Sequence, residues 1–171
     1  MIRAGIFGPS LSGKTTLAKE LSKQYWLKRK YKTLVLDPIG DNWGKHATVF
    51  QDEEKFWETV WKSHHCLVIV EEAADTINRE KDLIPVFTRL RHLHHVLIVI
   101  GHSGASLLPV MRQQLETLYL FCQSEKSCAI WVEDSMCRYS VDLHKATELD
   151  QYEFIHYERF KPVRGPMKLK L

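Results

Sequence analysis

Near its start the sequence has a stretch with the residue types and spacing of a phosphate-binding loop. The pattern G-x-x-x-x-G-K-[ST] is matched in full by Gly8, Pro9, Ser10, Leu11, Ser12, Gly13, Lys14 and Thr15, and Thr16 follows it. The glycines allow backbone angles that turn successive N–H groups toward phosphate oxygens, and a helix beginning here adds its positive end. Lys14 would bridge the β- and γ-phosphates, and Thr15 would offer its hydroxyl to Mg²⁺. The loop therefore predicts binding of ATP, or another nucleoside triphosphate, with Mg²⁺.

Two adjacent glutamates end an apolar run in the middle of the chain. Glu71 and Glu72 follow Leu67–Val70, which has the continuous hydrophobicity of a strand buried on both faces. This resembles a Walker B strand, with glutamate in the place that aspartate usually holds. We expect Glu71 to hold Mg²⁺ through a bound water and Glu72 to orient and polarise the water that attacks the γ-phosphate. Two acids here need a cation or another partner, because burying an unpaired carboxylate is costly.

A glutamate directly after Walker B resembles the P-loop ATPases that have an additional catalytic glutamate. In those ATPases the strand between the P-loop strand and Walker B ends in a polar residue that senses the γ-phosphate. The corresponding strand here is Val96–Gly101, so the resemblance implies this role for His102. A hydrogen-bond donor at that place stabilises the transition state by about 3 kcal/mol.

The elements that must position these residues are predicted from hydrophobic pattern. Short apolar runs alternate with segments of helical period, which is typical of a mostly parallel sheet flanked by helices. The expected strands are Ile2–Phe7, Thr33–Asp37, Cys66–Glu71, Val96–Gly101 and Leu118–Cys122. Pro85 and Pro109 are each expected in the first turn of a helix. After Cys122 the pattern predicts helices near Glu125–Met136 and Asp142–Leu149 and a strand over Tyr152–Tyr157. Trp57 and Trp61 are both expected in the core.

Composition indicates one globular domain. The chain has 171 residues, of which 44% are hydrophobic and 26% charged, enough to bury a core. The longest purely apolar runs have five residues, whereas a membrane-spanning helix needs about 20, so we expect no membrane span. No C-x-x-C pair occurs among the four cysteines, which favours buried thiols in a reducing cytoplasm. We expect a single domain over 1–171, with its core over 1–122 and a C-terminal part over 123–171.

The excess positive charge is concentrated in the C-terminal tail, and the rest of the chain is slightly acidic. The whole chain has a net charge of +3, and the stretch from Arg159 to Leu171 contains five basic residues and no acidic one. Such a tail either contacts phosphates or an acidic partner, or is a solvated terminus. Both interpretations stay open from the sequence.

The order and spacing of these motifs resemble the FtsK/HerA superfamily of DNA-translocating ATPases. The short chain is most similar to the genome-packaging ATPases of tailless double jelly-roll viruses, which often contain a membrane. The resemblance covers about residues 1–122, and Leu149–Phe154 looks like the closing strand of small phage ATPases. It is carried by the P-loop, Leu34–Gly40, Val68–Ala73, His102 and Leu108–Arg112. It implies an α/β, three-layer P-loop NTPase of the additional-catalytic-glutamate (RecA-like) type.

Further implications of the resemblance concern assembly and partners. Members of the superfamily form homo-oligomeric rings, usually hexamers, with ATP between subunits and double-stranded DNA in the central pore. A neighbouring subunit contributes an arginine to the γ-phosphate, for which Arg112 is the first choice and Arg89 and Arg91 are the others. A capsid-vertex or portal protein would dock the ring. For the DNA contact, Arg79 and Lys81 are candidates, while the cluster Lys28–Lys30 is better explained by the end of a helix.

Four other functions compete with this hypothesis. A small-molecule or nucleotide kinase also fits a short chain with an N-terminal P-loop, but it does not need Glu72, and no clear lid segment is present. A GTPase is disfavoured, because Asp37–Gly40 spells D-x-x-G but no N-K-x-D motif occurs. The kinase stays open, and so do a Zot-like phage morphogenesis ATPase, although such proteins normally carry a membrane span, and a non-hydrolysing nucleotide-binding scaffold.

Overall fold

A computed structural model of the chain describes residues 3–72 and 84–170. An eight-stranded, mostly parallel sheet runs through it in the order β3-β2-β4-β5-β1-β6-β7-β8, and β7 is the strand that runs opposite to the others, so its pairings with β6 and β8 are antiparallel. The strands are β1 (Arg3–Phe7), β2 (Thr33–Leu36), β3 (Ala47–Phe50), β4 (Leu67–Val70), β5 (Val96–Gly101), β6 (Thr117–Leu120), β7 (Glu153–Glu158) and β8 (Arg164–Lys168). The predicted fold class, a sheet flanked by helices, is confirmed.

Helices pack on the sheet and connect its strands. Among the described residues they are α1 (Lys14–Arg29), α2 (Glu53–Lys62), α3 (Ile84–Arg89), α4 (Pro109–Arg112) and α5 (Glu125–Ser135). The 3₁₀ segments among them are the short Leu90–Leu93 and Gly104–Ser106 and the longer Arg138–Glu148. Pro85 and Pro109 both lie in the first turn of their helices, as predicted. In the described ranges, no helix has the length and apolar character that a membrane crossing requires.

Strand order and register bring the predicted functional residues to one edge of the sheet. β5 lies between β1 and β4, as the resemblance implied. Phe7 is opposite Gly101, and Val70 is opposite Val99. The phosphate loop, Glu71 and His102 therefore all emerge where parallel strands end, which is the ligand-binding edge of such sheets.

The core lies on both faces of this sheet. On one face Phe56, Trp57 and Val60 of α2 are buried with Val68 and Val70 of β4. The side chain of Asp52 caps the start of α2, because it accepts a hydrogen bond from the backbone N–H of Lys55 at 3.0 Å. Val60 follows Phe56 and Trp57 by four and three positions, so the three buried side chains lie on one face of the helix. Trp57 is in the core as predicted. The prediction for Trp61 was wrong, because its position on α2 turns away from the sheet and leaves it 39% exposed.

Two strands were not predicted. β3 is a four-residue strand at one edge, and none of its residues is buried, so its hydrophobic pattern is faint. β8 lies at the other edge and contains Arg164 and Lys168 of the basic tail. The tail is therefore not a free solvated terminus, because backbone pairing with β7 holds it while its charges face outward.

Candidate nucleotide-binding site

The phosphate loop joins β1 to α1 and is shaped by its two glycines. Gly8 donates its backbone N–H to the carbonyl of Gly101 at 3.2 Å, which ties the loop to β5. Gly13 has a φ of 103°, in the region that favours glycine. A Cβ atom at Gly13 would also lie 2.6 Å from Cδ1 of Leu169. The loop therefore needs glycine at this position for both conformation and space.

Lys14 lies at the mouth of this loop. Its Nζ donates hydrogen bonds to the carbonyl oxygens of Gly8 at 2.9 Å and Pro9 at 2.8 Å. Burial lowers the pKa of Lys14, and the nearby carboxylates of Glu72 and Glu71 oppose that shift. The ammonium is thus held within the loop that would receive phosphate, close to both predicted acids.

Thr15 and Glu71 contact each other directly. The Thr15 hydroxyl donates a hydrogen bond to Oε1 of Glu71 at 2.7 Å. Burial raises the pKa of Glu71, although the hydrogen bond from Thr15 opposes this. A buried carboxylate next to a hydroxyl is the hard oxygen donor set that suits Mg²⁺, and the cation would supply charge to a carboxylate that burial disfavours. The predicted metal residues therefore fit this ion.

Glu72 lies in a turn just beyond β4 and contacts His102. Its φ is 48°, so the backbone no longer follows the strand alternation that would send Glu71 and Glu72 to opposite faces. Oε2 of Glu72 is 3.4 Å from Nε2 of His102, and the two side chains are 42% and 48% exposed. The structure thus brings together two residues whose roles the sequence predicted separately. Because they follow neighbouring strands β4 and β5, the strand order alone could have indicated the contact.

The other predicted loop residues lie around the phosphate-binding backbone. Pro9, Ser10, Leu11 and Thr16 are exposed. The Ser12 side chain is buried, and within residues 3–72 and 84–170 no atom hydrogen-bonds to its hydroxyl. A hydroxyl that is buried in a phosphate loop and has no protein partner there can donate a hydrogen bond to an oxygen of a bound ligand.

Asp37 stabilises a turn beside the site. Its carboxylate accepts hydrogen bonds from the backbone N–H groups of Ile39, Gly40 and Asp41 and, at 3.0 Å, from Nε1 of Trp43. Burial alone would raise the pKa of Asp37, but these hydrogen bonds outweigh it and lower the pKa. The D-x-x-G stretch therefore has a structural explanation that does not involve guanine nucleotides.

Arg112 is not brought into this site. Its Nε donates a hydrogen bond to the Asp134 carboxylate, and its Nη1 donates to the carbonyl of Gly104 at 3.1 Å. The side chain is only 12% exposed. The guanidinium thus ties α4 to α5 and to the loop after His102, and the predicted contact of Arg112 with a neighbouring subunit stays a prediction. Arg89 and Arg91 are exposed.

The remaining candidates lie elsewhere. Arg79 and Lys81 fall outside the described residues. At the end of α1, Arg29 lies over the ring of Tyr25 and Lys30 over that of Trp26, which agrees with a packing role for the basic cluster there. In the described part of the chain, no group of three or more His, Cys, Asp or Glu side chains could hold a metal ion.

Comparison with known proteins identifies structural neighbours. No protein-family model matches the sequence, and no curated protein matches it either. The genome packaging NTPase B204 from Sulfolobus turreted icosahedral virus 2, in complex with AMPPCP, superimposes with a TM-score of 0.75 at 18% identity, covering 97% of each chain. Its complex with sulfate gives a TM-score of 0.78 at 18% identity, covering 97% of this chain and 96% of that one.

Two other structural neighbours superimpose with lower TM-scores. The N-terminal domain of zonular occludens toxin from Neisseria meningitidis has a TM-score of 0.51 at 15% identity, with 73% of this chain and 78% of that chain covered. The cytoplasmic domain of the Thermomonospora curvata type VII secretion ATPase EccC has a TM-score of 0.64 at 11% identity, with 95% and 23% covered.

At these identities the similarity concerns the fold. It extends over 97% of the chain in the packaging NTPase, and so includes the C-terminal part on which the motifs gave little information. The predicted resemblance to genome-packaging ATPases is confirmed at this level: the chain has the fold of a viral genome packaging NTPase.

Proposed function

We propose that this chain is an ATP-hydrolysing subunit of a motor that translocates double-stranded DNA during viral genome packaging. The observation that supports this most directly is the convergence of Glu71, Glu72 and His102 on Lys14 and Thr15 at one edge of the sheet. A kinase needs the loop and a metal ligand, whereas the additional acid beside a histidine suits activation of water. The similarity of its fold to that of a genome packaging NTPase supports the same proposal.

The phosphate loop binds the triphosphate through its backbone N–H groups and the first turn of α1. Lys14 exchanges its two carbonyl partners for oxygens of the β- and γ-phosphates. Thr15 would hold Mg²⁺ with its hydroxyl, and Glu71 would hold it through a water. The ion would supply positive charge against the charge that develops on the phosphates.

Glu72 and His102 act at the γ-phosphate. Glu72 accepts a hydrogen bond from a water, orients its oxygen in line with the γ-phosphorus and receives its proton. The new P–O bond forms while the bond between the γ-phosphorus and the bridging oxygen to the β-phosphate breaks, giving ADP and phosphate. His102 turns from Glu72 to a γ-phosphate oxygen and so reports that the nucleotide is present.

Ring assembly completes the proposed site. ATP would lie between subunits of a homo-oligomeric ring, and the candidates for the arginine that acts in trans are Arg112 and the exposed Arg89 and Arg91. Arg112 also braces the loop that follows His102, so in that role it would have to leave its partner Asp134. Double-stranded DNA would occupy the pore, and a capsid-vertex or portal protein would dock the ring.

An ATPase assay with and without duplex DNA at low salt tests the proposal, on protein sized by light scattering. We expect duplex DNA to bind and to stimulate hydrolysis. Glu72→Gln should retain ATP binding and lower turnover by at least about 100-fold. Glu133→Gln, which changes an exposed glutamate on α5, is the matched control. If duplex DNA neither binds nor stimulates ATP hydrolysis, the translocase hypothesis is rejected. Unchanged turnover in Glu72→Gln would show that Glu72 has no catalytic role.

A Zot-like morphogenesis ATPase is the second candidate, because the zonular occludens toxin domain also has this fold. That similarity has the lower TM-score and covers less of the chain than the packaging NTPase does. Hydrolysis that proceeds equally with and without duplex DNA would favour it.

A further inference from the structure

The strand order indicates which side of β1 each end of a bound nucleoside triphosphate would face. Thr15 contacts Glu71, while Glu71 and His102 follow β4 and β5, which lie on one side of β1 in the sheet. The γ-phosphate end therefore points toward β4 and β5. The nucleoside end leaves the phosphate loop on the other side of β1, where β6, β7 and β8 lie.

The C-terminal strands bring two apolar side chains to that side. β7 is antiparallel to β6, so it begins at the edge where β1 and β6 end, and Tyr152 directly precedes it. β8 is antiparallel to β7, so it ends at the same edge, and Leu169 directly follows it. The backbone N–H of Leu169 donates to the carbonyl of Tyr152 at 3.0 Å, which holds the two residues side by side.

These residues pack against the phosphate loop itself. A Cβ atom at Gly13 would lie 3.2 Å from Cδ1 of Tyr152 and 2.6 Å from Cδ1 of Leu169. The side-chain amide of Gln151 donates a hydrogen bond to the carbonyl of Leu11 at 3.2 Å. The C-terminal part of the chain thus forms one wall of the nucleotide site.

A cavity of about 330 Å³ opens at this wall. Its lining residues are Leu11, Gly13, Lys14, Thr15, Thr16 and Tyr152. Leu11 has a φ of 62° and is 85% exposed, so the loop presents a large apolar side chain to the cavity with little protein around it. A larger cavity of about 600 Å³ lies near Ala4 and Thr117, at the starts of β1 and β6, and so opens at the opposite edge of the sheet from the phosphate loop.

From this geometry we propose that the cavity beside the phosphate loop binds the nucleobase, with Tyr152 as the stacking surface and Leu11 as an apolar contact. The inference deepens the proposed function and rests on it. Lys14 and Thr15 serve the phosphates, so Leu11, Thr16 and Tyr152 are the lining side chains left for the nucleoside. Stacking and apolar contact do not distinguish one base edge from another.

The site is therefore tolerant of the base. A pocket that reads a base by buried hydrogen bonds discriminates by about 10⁴-fold or more, whereas apolar contact discriminates far less. We expect the Kd values of ATP and GTP to differ by less than about tenfold. A larger difference would contradict recognition by stacking.

Binding of ATP, GTP and inorganic tripolyphosphate, measured by calorimetry with Mg²⁺, tests the role of Tyr152. Tripolyphosphate occupies the loop but has no base. Tyr152→Ala should weaken ATP and GTP about tenfold and leave tripolyphosphate unchanged, while Tyr152→Phe should bind all three as the wild type does. Tyr139→Ala, which removes a half-buried tyrosine packed on Arg138, is the control.

Leu11→Ser provides a second variant whose folding is not in question, because Leu11 is exposed. It should weaken ATP about threefold and leave tripolyphosphate unchanged. Unchanged ATP affinity in Tyr152→Ala would overturn the inference, and so would an equal loss for ATP and tripolyphosphate. Either result would leave the proposed function standing if the wild type hydrolyses ATP and responds to duplex DNA. A wild type that binds no ATP would reject the proposed function itself.

Discussion

The hydroxyl of Thr15 donates a hydrogen bond to Oε1 of Glu71 at 2.7 Å, and this contact joins the first turn of α1 to the end of β4. The two residues are 56 positions apart in the sequence. Glu71 lies just beyond the end of β4, but its backbone N–H still donates a hydrogen bond to the carbonyl of Leu36 at the end of β2, at 2.9 Å. This backbone bond holds Glu71 in place for the contact with Thr15. The oxygen atoms proposed to hold Mg²⁺ are therefore placed by the fold itself.

Changing either partner should separate metal binding from phosphate binding. Glu71→Gln keeps the size of the side chain but removes the charge that holds the cation through water. We expect Mg²⁺-dependent hydrolysis to fall about 10–100-fold, and the concentration of Mg²⁺ needed for half-maximal rate to rise. Thr15→Val, which loses the hydroxyl, should have the same effect. A magnesium titration of the hydrolysis rate measures both.

Thr15→Ser is the matched control, since it keeps the hydroxyl and should keep the wild-type magnesium dependence. Nucleotide affinity measured in EDTA should stay unchanged in Glu71→Gln, because the phosphate loop is intact. A Glu71→Gln protein with wild-type magnesium dependence would show that Glu71 does not hold the metal.

The sequence was sufficient for the parts of the site that depend on local chemistry. The phosphate loop, the two glutamates and the strand before His102 could be predicted, because glycine spacing and buried apolar runs are local patterns. The Glu72–His102 contact follows once the strand order is known, whereas the packing of Tyr152 on Gly13 depends on the antiparallel pairing of β7 with β6 and β8, which no local pattern shows. The basic tail shows the limit most clearly: Arg164 and Lys168 belong to a strand, but edge strands with outward charges lack a strong hydrophobic pattern.

Arg112 could not be placed from the sequence for a similar reason. Its partner Asp134 is on α5, 22 residues away, and no local pattern links them. An arginine near a sensor strand suggests a contact with a neighbouring subunit, whereas the structure gives it a contact within its own subunit.

Arg112→Ala should therefore destabilise the isolated subunit. The ion pair with Asp134 is nearly buried, with side chains 12% and 10% exposed, and removing one partner leaves a buried charge unpaired. We expect the free energy of unfolding in urea to fall by about 3 kcal/mol. The double variant Arg112→Ala with Asp134→Ala should lose less than the sum of the two single variants, because neither charge is then left alone.

Arg89→Ala serves as the control, because Arg89 is exposed and its loss should change stability by less than about 0.5 kcal/mol. An Arg112→Ala subunit with unchanged stability but no hydrolysis in the assembled ring would favour action in trans instead.

His95 makes stability depend on pH. It is fully buried at the start of β5, where its Nδ1 accepts a hydrogen bond from the N–H of Cys66 at 3.0 Å and its Nε2 lies 3.1 Å from the carbonyl of Val60. The ring is therefore neutral with its proton on Nε2, because a proton on Nδ1 would remove the acceptor for Cys66. Burial lowers the pKa of His95, and the hydrogen bonds to Val60 and Cys66 oppose that shift only in part.

The folded state thus binds fewer protons than the unfolded state just below the usual histidine pKa of about 6.5. The stabilisation that neutral His95 gives the folded state is complete above that pH, and it is lost progressively as the pH falls toward the lowered pKa of His95 in the folded state. The free energy of unfolding, measured in urea between pH 8 and pH 5, should decrease toward acid. His95→Gln should be less stable at pH 8 by about 1–3 kcal/mol, but it should lose less further stability on acidification.

Burial also lowers the pKa of His156, so some dependence of stability on pH should remain in His95→Gln. His144→Gln changes an exposed ring and should follow the wild-type curve. Equal slopes for His95→Gln and the wild type would show that His95 is not the group that titrates.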